Sequence, residues 1–591
     1  MLSRSTNSKT ADYKMGEGLS YLFVAAIDLG TTFSGVAFSS RDAFTKEPTN
    51  VWLKTWHGTI VTYKTPTVIL FDQNGDFDSF GYEAEDRYTD LLLDGVAENW
   101  SLFRRFKMSL YEQQSVLESL ELVADNGKKM SAMKVFSASI KYLTEQLTKE
   151  IMKQVSYTTD KDIKWVITVP AIWSQPAKSF VRKAAMMAGI ESEMLTMALE
   201  PEAAAICLKH LPLEKKKMGE VGDNYRTFSP GSSYTIVDAG GGTIDITTHE
   251  VLEDGSVKEL FQSSGGDWGG TKVNDRIMEL FEDVLGTQTM SELKQNQQLD
   301  ILELERNIET AKRSLSTHRR KMTITIPAGI LDQYKKNHHA DLSSVKSASL
   351  RDGRTIEFTF NSGKLRLDHD SSCSFFEPSI ISICDHLRDM FQMSAGQGID
   401  TIIMVGGFAN CSFLIRKILT EFPDKHVLVP EEAEWSVLKG AVIFGHDPWL
   451  IKQRRSRYTY GAKCKKLFKE GEHDPDKKEE ENDKVFCHDL FSKHVEIGEL
   501  ITVGEYQTNK KYRVSHDSMA RIQLYASRNP DPKYVTDEGC FKVGELEIFS
   551  PNLEVESKIR VQLSFSHTEI EARLSHRKSG TSSAIYLDTH F

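Results

Sequence analysis

The chain has 591 residues, 40% hydrophobic and 27% charged, with a formal net charge of -11. That length exceeds what one hydrophobic core supports, so several domains are expected, and the negative balance offers no basic footprint for nucleic acid or an anionic membrane surface. Seven cysteines are scattered without a Cys-x-x-Cys pair, which predicts a reduced cytoplasmic or nuclear compartment, no disulfide framework and no zinc site.

Residues 1–20 show no periodic apolar pattern and read as a mobile tail. The apolar run at 21–27 is far short of the roughly 20 residues a membrane span needs. The polar stretch before it lacks a signal-peptide profile, so a soluble, unsecreted chain is expected. Residues 22–27 (Leu-Phe-Val-Ala-Ala-Ile) read as a buried strand that empties into Asp28-Leu29-Gly30-Thr31-Thr32. A second strand at 164–169 ends at Pro170, a helix over 177–189 stops at glycine, and Glu200-Pro201-Glu202 opens another helix with proline in its first turn. The polar segment 213–233, with Lys215-Lys216-Lys217, reads as a hinge-side loop.

Residues 234–237 (Tyr-Thr-Ile-Val) repeat the opening theme and run into Asp238-Ala239-Gly240-Gly241-Gly242-Thr243-Ile244-Asp245. Asp28 and Asp238 stand 210 positions apart. A charged helix is predicted over 292–316 and a strand at 322–326. Another strand, 401–405, is capped by Gly406-Gly407, and helices follow over 412–422 and 440–445. Past residue 457 the texture changes. Residues 469–483 are charge-dense and read as a solvated, mobile loop. Short alternating runs at 512–514, 521–525, 544–549 and 558–565 then predict a β-sandwich of roughly 110 residues.

Residue types supply the chemistry. Glycine and threonine turns after buried strands expose backbone N–H groups on which phosphate oxygens rest, so Gly30, Thr31 and Thr32 would face Gly240, Gly241, Gly242 and Thr243 as a nucleotide clamp. ATP with Mg2+ also needs carboxylates, and Asp28, Asp238 and Asp245 would hold the metal mostly through water. Glu200 is placed to orient a water for attack on the γ-phosphate. Lys107, with Arg105 as its rival, would offset developing charge. The catalytic candidates are thus Glu200, Lys107, Asp28 and Asp238.

These motifs, with Thr168-Val169-Pro170-Ala171, Gly269-Gly270, Glu309-x-x-Lys312-Arg313-x-x-Ser316 and Val405-Gly406-Gly407, resemble the heat shock 70 kDa family in order and type. Residues 64–71 and 103–108 look most like its divergent 12A and 12B branch. The resemblance implies an α/β, actin-like ATPase fold: duplicated ribonuclease-H-like lobes around a nucleotide cleft, lobe I over about 21–230 and lobe II over about 231–456. A β-rich domain similar to the family's peptide-binding domain would occupy 457–591, with no helical lid after it. The same resemblance gives Glu200 the catalytic-site role and makes Pro170 and Lys178 an interlobe relay. It builds the adenosine pocket from Glu309, Lys312, Arg313 and Ser316, with Gly406 and Gly407 opposite.

Two departures stand out. Phe408-Ala409-Asn410 replaces the family's Ser-Thr-Arg, removing one of two arginines that sandwich the base, and Pro448-Trp449-Leu450-Ile451-Lys452-Gln453-Arg454-Arg455 replaces an acidic, leucine-rich linker. The resemblance implies an ATP-binding, weakly hydrolysing chaperone-like protein with ATP or ADP and Mg2+ as cofactors. Its peptide clients or signalling partners would bind through 457–591. A pseudo-ATPase scaffold and a sugar-kinase-like phosphotransferase are the alternatives. The terminal β-rich region suits peptide capture better than sugar binding.

Overall fold

The structure, a computed structural model, describes residues 21–58, 61–111, 119–155, 158–210, 216–217, 220–221, 228–316, 321–393, 396–481, 483–513, 519–549, 558–566, 569–576 and 580–587. The expected tail at 1–20 and most of the hinge-side segment 213–233 lie outside them.

Two sheets repeat one topology. In the first, strand Phe23–Leu29 runs parallel to Ile163–Val169, which runs parallel to Leu195–Leu199, and on its other side forms an antiparallel hairpin with Phe33–Ser40. In the second, Ser233–Ala239 runs parallel to Thr401–Val405, which runs parallel to His426–Leu428, and pairs antiparallel with Ile244–Val251. Each sheet is covered on both faces, which is why its central strand is an unbroken apolar run. Phe23, Ala25 and Ile27 point into the outer core of the first lobe with Phe136 and Phe180, whereas Val24 and Ala26 point the other way.

That other face builds the core between the lobes. Helices Glu200–Lys209 and Ser436–His446 lie there, packed with Val24 and Ala26 of one sheet and Ile236, Ile403 and Val405 of the other. The Ala203-Ala204-Ala205 run and Gly440 allow close approach: a methyl at Gly440 would sit 1.7 Å from the Ala203 carbonyl oxygen.

At the outer rim the lobes meet again. Helix Gln298–Ser314 of the second lobe sends Leu302 into a cluster with Val68, Leu70 and Tyr88 of the first. Tyr88 donates to Gln298 Oε1 at 2.8 Å, and Arg104 pairs with both Asp125 (2.6 Å) and Glu305. The charged helix expected over 292–316 is two helices, Thr287–Asn296 and Gln298–Ser314, because Gln297 leaves helical geometry at φ -138 and ψ 50.

The chain does not separate cleanly at residue 456. Strand Ile451–Arg455 adds to the second-lobe sheet beside Val257–Gly266, and Leu500–Thr502 returns from beyond to pair with it. Two antiparallel sheets follow. One orders Lys478–Glu481, Lys484–Val495, Thr459–Leu467, Met519–Ser527 and Cys540–Phe549; the other orders Lys510–Arg513, Lys558–Ser566, Glu569–His576 and Ser582–Tyr586. Both send side chains into one core, among them Val495, Leu524 and Val543 from the first and Val561, Leu563 and Leu574 from the second.

Of the charge-dense stretch 469–483, expected as a mobile loop, residues 469–477 run through turns, whereas 478–481 form a strand of a hairpin. Lys478–Glu481 pairs with Lys484–Val495 across a turn at Asp483, whose φ is +59. Opposite charges across the strands hold it, with Lys465 on Glu481, and Lys463 on Asp489 at 2.6 Å. Among the described residues, no helix is long and apolar enough to cross a membrane.

Candidate functional site

The duplicated turns meet. Strand Phe23–Leu29 carries Asp28 near its end, and Ser233–Ala239 carries Asp238 in the equivalent place, directly opposite Asp245 in the hairpin register. The glycines of the second turn touch the threonines of the first: a methyl at Gly241 would lie 2.2 Å from Thr32 Oγ1, and one at Gly242 2.5 Å from Thr31 Oγ1. Thr271 braces the second turn from its N–H and its hydroxyl, each 2.8 Å from the Gly241 carbonyl. Between the lobes opens a cavity of about 660 Å3. Every sequence-predicted nucleotide residue lines it: Gly30, Thr31, Thr32, Gly240, Gly241, Gly242, Thr243, Glu309, Lys312, Arg313, Ser316, Gly406 and Gly407.

Asp28, Lys107, Glu200 and Asp238 line the same cavity, while Asp245 lies fully buried just behind it. Lys107 Nζ is 2.7 Å from Glu200 Oε1, and the ammonium lies 5.4 Å from the Trp173 ring centre. Its rival Arg105 turns away, pairing at 3.3 Å with Asp275 on the second lobe. Sequence reasoning missed Lys64, whose Nζ donates to Asp28 Oδ2 at 2.8 Å while Thr168 donates to Oδ1 at 3.1 Å.

Crowding of acids in a buried space sets the protonation pattern. Burial pushes Glu200 up to about 7, with Asp28 and Asp245 adding to the push and Lys107 opposing it. Asp238 is raised well above the ordinary carboxylate range by burial and by Glu200, Asp245 and Asp28. Asp245 is raised by burial against the backbone N–H groups of Ile172 and Ala171 and the Thr243 hydroxyl. Burial also works on Asp28, but Lys64 and then Lys107 overcome it and hold that carboxyl low.

The far end of the cavity belongs to helix Gln298–Ser314. Glu309 accepts from Asn274 (2.7 Å), Lys312 (2.7 Å) and Arg313 (2.7 Å), so both cations are steered by one carboxylate. Arg313 lies 5.0 Å from the Phe33 ring of the opposite lobe. Gly406 faces them with φ +88, and a methyl there would strike Asp238 Oδ1 at 2.5 Å, so only glycine lets this turn close on the acid. Phe408 and Asn410, the residues at the departure from the family pattern, also line this region.

Pro170 and Lys178 lie behind the cavity and are both buried. Ile172, two residues past Pro170, donates its N–H to Asp245 Oδ1 at 2.9 Å. Lys178 donates to the Ala171 carbonyl at 3.2 Å, and burial with Arg457 nearby drives its pKa well down. Arg457 also binds the Ala171 carbonyl, and it binds that of Trp173 at 3.0 Å. Arg454 pairs with the buried Glu202, two residues past Glu200. The arginines after residue 450 thus engage backbone and acid beside the candidate catalytic residues, a contact no local sequence pattern announces.

The donor set fits a phosphate and a hydrated hard cation. Thr32 Oγ1 is buried without a hydrogen-bond partner at the first turn, and carboxylate oxygens are the ligands such an ion takes. Among the described residues, no three acid, histidine or cysteine groups gather to grip a metal ion directly.

Two lobes of one topology, closed on a cavity walled by paired glycine-threonine turns and acids, define an α/β two-lobe nucleotide-binding protein. Comparison with known proteins agrees: the family model described as Hsp70 protein matches residues 24–353. Heat shock 70 kDa protein 12A of Homo sapiens is 33% identical over 633 aligned residues, covering 97% of this chain and 92% of that protein. Heat shock 70 kDa protein 12B of Homo sapiens is 30% identical, covering 92% of this chain and 86% of that protein. A stromal 70 kDa heat shock-related protein of Pisum sativum chloroplasts is 24% identical over 71% of this chain. The chain belongs to the heat shock 70 kDa family.

Proposed function

We propose that this chain binds ATP between its lobes, hydrolyses it slowly, and uses the nucleotide state to alter what its C-terminal region holds. The observation that carries this is the Lys107–Glu200 pair, 2.7 Å apart and buried at the cavity wall beside the two phosphate turns. In this reading the γ-phosphate lies between the turns. Glu200 orients a water and takes its proton as the new P–O bond forms and the bond to the β-phosphate oxygen breaks. Lys107 stabilises charge on the transferred group. Asp238 and Asp245, with Asp28 beside them, are the residues suited to hold a hydrated Mg2+, whose chemistry is to offset phosphate charge.

Pro170 and Lys178 would relay the nucleotide state, because the Ala171-Ile172 backbone joins Asp245 on one side to Arg457 on the other. The region beyond residue 457, a β-sandwich in this reading, would then present peptide or protein partners with a surface that changes on lobe closure. A cytoplasmic location suits such partners.

One observation favours a second reading, a nucleotide-binding scaffold without turnover: Lys64 engages Asp28, an acid that hydrolysis would use. Single-turnover hydrolysis with wild type and Glu200→Ala separates the two. Phosphate release by wild type that collapses in the variant, with ADP affinity kept, supports the ATPase; binding without release in either supports the scaffold.

A further inference from the structure

Lys64 enters the cavity from the segment beside the first hairpin, where Thr65 and Pro66 pair with Ser34 and Phe33. Its ammonium reaches across the mouth of the first phosphate turn to Asp28, and its charge also faces Asp238 and Glu434 of the second lobe. With Thr168 on the other oxygen, both oxygens of Asp28 are engaged by protein donors. Asp238, the equivalent acid of the second turn, has only Lys64 acting to lower its pKa among its leading neighbours, against Glu200, Asp245 and Asp28. The duplication is therefore asymmetric: one acidic turn carries its own cation and the other does not.

An ion pair placed only for stability gains little from this location, since desolvating both charges offsets their attraction. This one lies on the ligand-facing wall, with the Lys64 side chain 23% exposed and that of Asp28 7% exposed. An ammonium has three donors, and Asp28 takes one of them. Lysine also behaves as a compact point charge well matched to phosphate oxygens.

We propose that Lys64 is a resident cation of the phosphate site: it holds the place on Asp28 that a hydrated divalent ion would otherwise take and donates to a phosphate oxygen, so nucleotide binds with little help from Mg2+. This rests on the reading of the cavity as a nucleotide site. Asp238 and Asp245 remain the acids for whatever metal does enter. Removing Lys64 frees Asp28 as a metal partner and makes the metal indispensable.

The test is calorimetric titration of the full chain with ADP, in excess Mg2+ and again in EDTA. Wild type should show dissociation constants within about threefold of each other. Lys64→Ala should bind ADP about tenfold or more weakly in EDTA and recover in Mg2+, a loss of about 1.4 kcal/mol per tenfold, whereas Lys64→Arg, which keeps the positive charge, should lose less in EDTA than Lys64→Ala. Electron paramagnetic resonance titration with Mn2+ alone should show tighter binding to Lys64→Ala than to wild type. Lys64→Gln, which keeps a neutral donor for Asp28, replaces the alanine variant if circular dichroism shows that variant unfolded. Wild-type ADP binding that falls a hundredfold in EDTA, or an Mg2+ dependence identical in wild type and Lys64→Ala, overturns the inference while leaving nucleotide binding intact. No ADP binding under either condition overturns the nucleotide reading with it.

Discussion

Lys107 Nζ and Glu200 Oε1 lie 2.7 Å apart across the first lobe, 93 positions apart in the chain, with both side chains almost wholly buried. Burial pushes the Glu200 carboxyl up to about 7, which brings its ionisation close to neutral pH. Only the ionised glutamate can take a proton from water. Single-turnover hydrolysis should therefore rise with pH through about 7 and level off above it. Glu200→Gln should remove that limb and slow the step by about 100-fold or more. A pH profile that keeps the same inflection in the variant assigns it to another group.

The packing of turn against turn makes a separate demand. Gly241 has no room for a methyl group, because Thr32 Oγ1 stands 2.2 Å from where it would sit and the Thr32 N–H lies close behind. Gly241→Ala should push the turns apart, weakening ADP binding at least tenfold and destabilising the fold by about 1–3 kcal/mol. Calorimetric titration and thermal unfolding of the one variant read both effects. Unchanged affinity with a lowered Tm would show that the contact is structural alone.

Much of this geometry is visible in the sequence because the relevant signals are local. Apolar runs ending in Asp-x-Gly-Thr and Asp-x-Gly-Gly-Gly-Thr mark a strand and its turn within a dozen residues, and both strands lie where those runs put them. Lys107 is preferred to its rival Arg105, yet the sequence holds no physical ground for the choice, since two residues of one short segment differ only in direction. Arg105 sits at φ +53 and faces Asp275, and Phe106 and Lys107 turn inward. Lys64 had no signal at all: a lysine before Thr-Pro on a polar stretch becomes informative only when a contact 36 residues back is known. Strand Lys478–Glu481 was hidden for another reason. Its four charged residues carry no alternation, and its order comes from partners on neighbouring strands.

Glu202 and Arg454 form a buried pair between the helix after Glu200 and the strand leaving the second lobe. Burial raises the Glu202 pKa to about 7 despite Arg454, against an ordinary 4.5. Between those values the folded chain keeps a proton that the unfolded chain has released, so stability falls as pH rises from about 4.5 to 7, by about 1.4 kcal/mol per pH unit for this group. Urea unfolding of Glu202→Gln should show that slope reduced. Arg454→Ala removes the cation that opposes the rise, so the Glu202 pKa should climb further above 7 and the chain should be destabilised at pH 7. A slope unaltered in Glu202→Gln would place the titration elsewhere.

Gly440 and Ala203 mark the crossing of the two helices that lie between the sheets, and no atom larger than hydrogen fits there. A methyl at Gly440 would lie 1.7 Å from the Ala203 carbonyl oxygen and 2.4 Å from its carbon, both rigid backbone. The helices must separate to admit it, and they carry the core shared by the two lobes, including Val24, Ile236 and Ile403. Gly440→Ala should thus cost about 1–3 kcal/mol in stability. Because Glu200 opens one of these helices, it should also slow hydrolysis more than it weakens ADP binding. Thermal unfolding with paired single-turnover and titration measurements checks this. A loss of stability with hydrolysis untouched would mean that the crossing supports the fold without setting the position of Glu200.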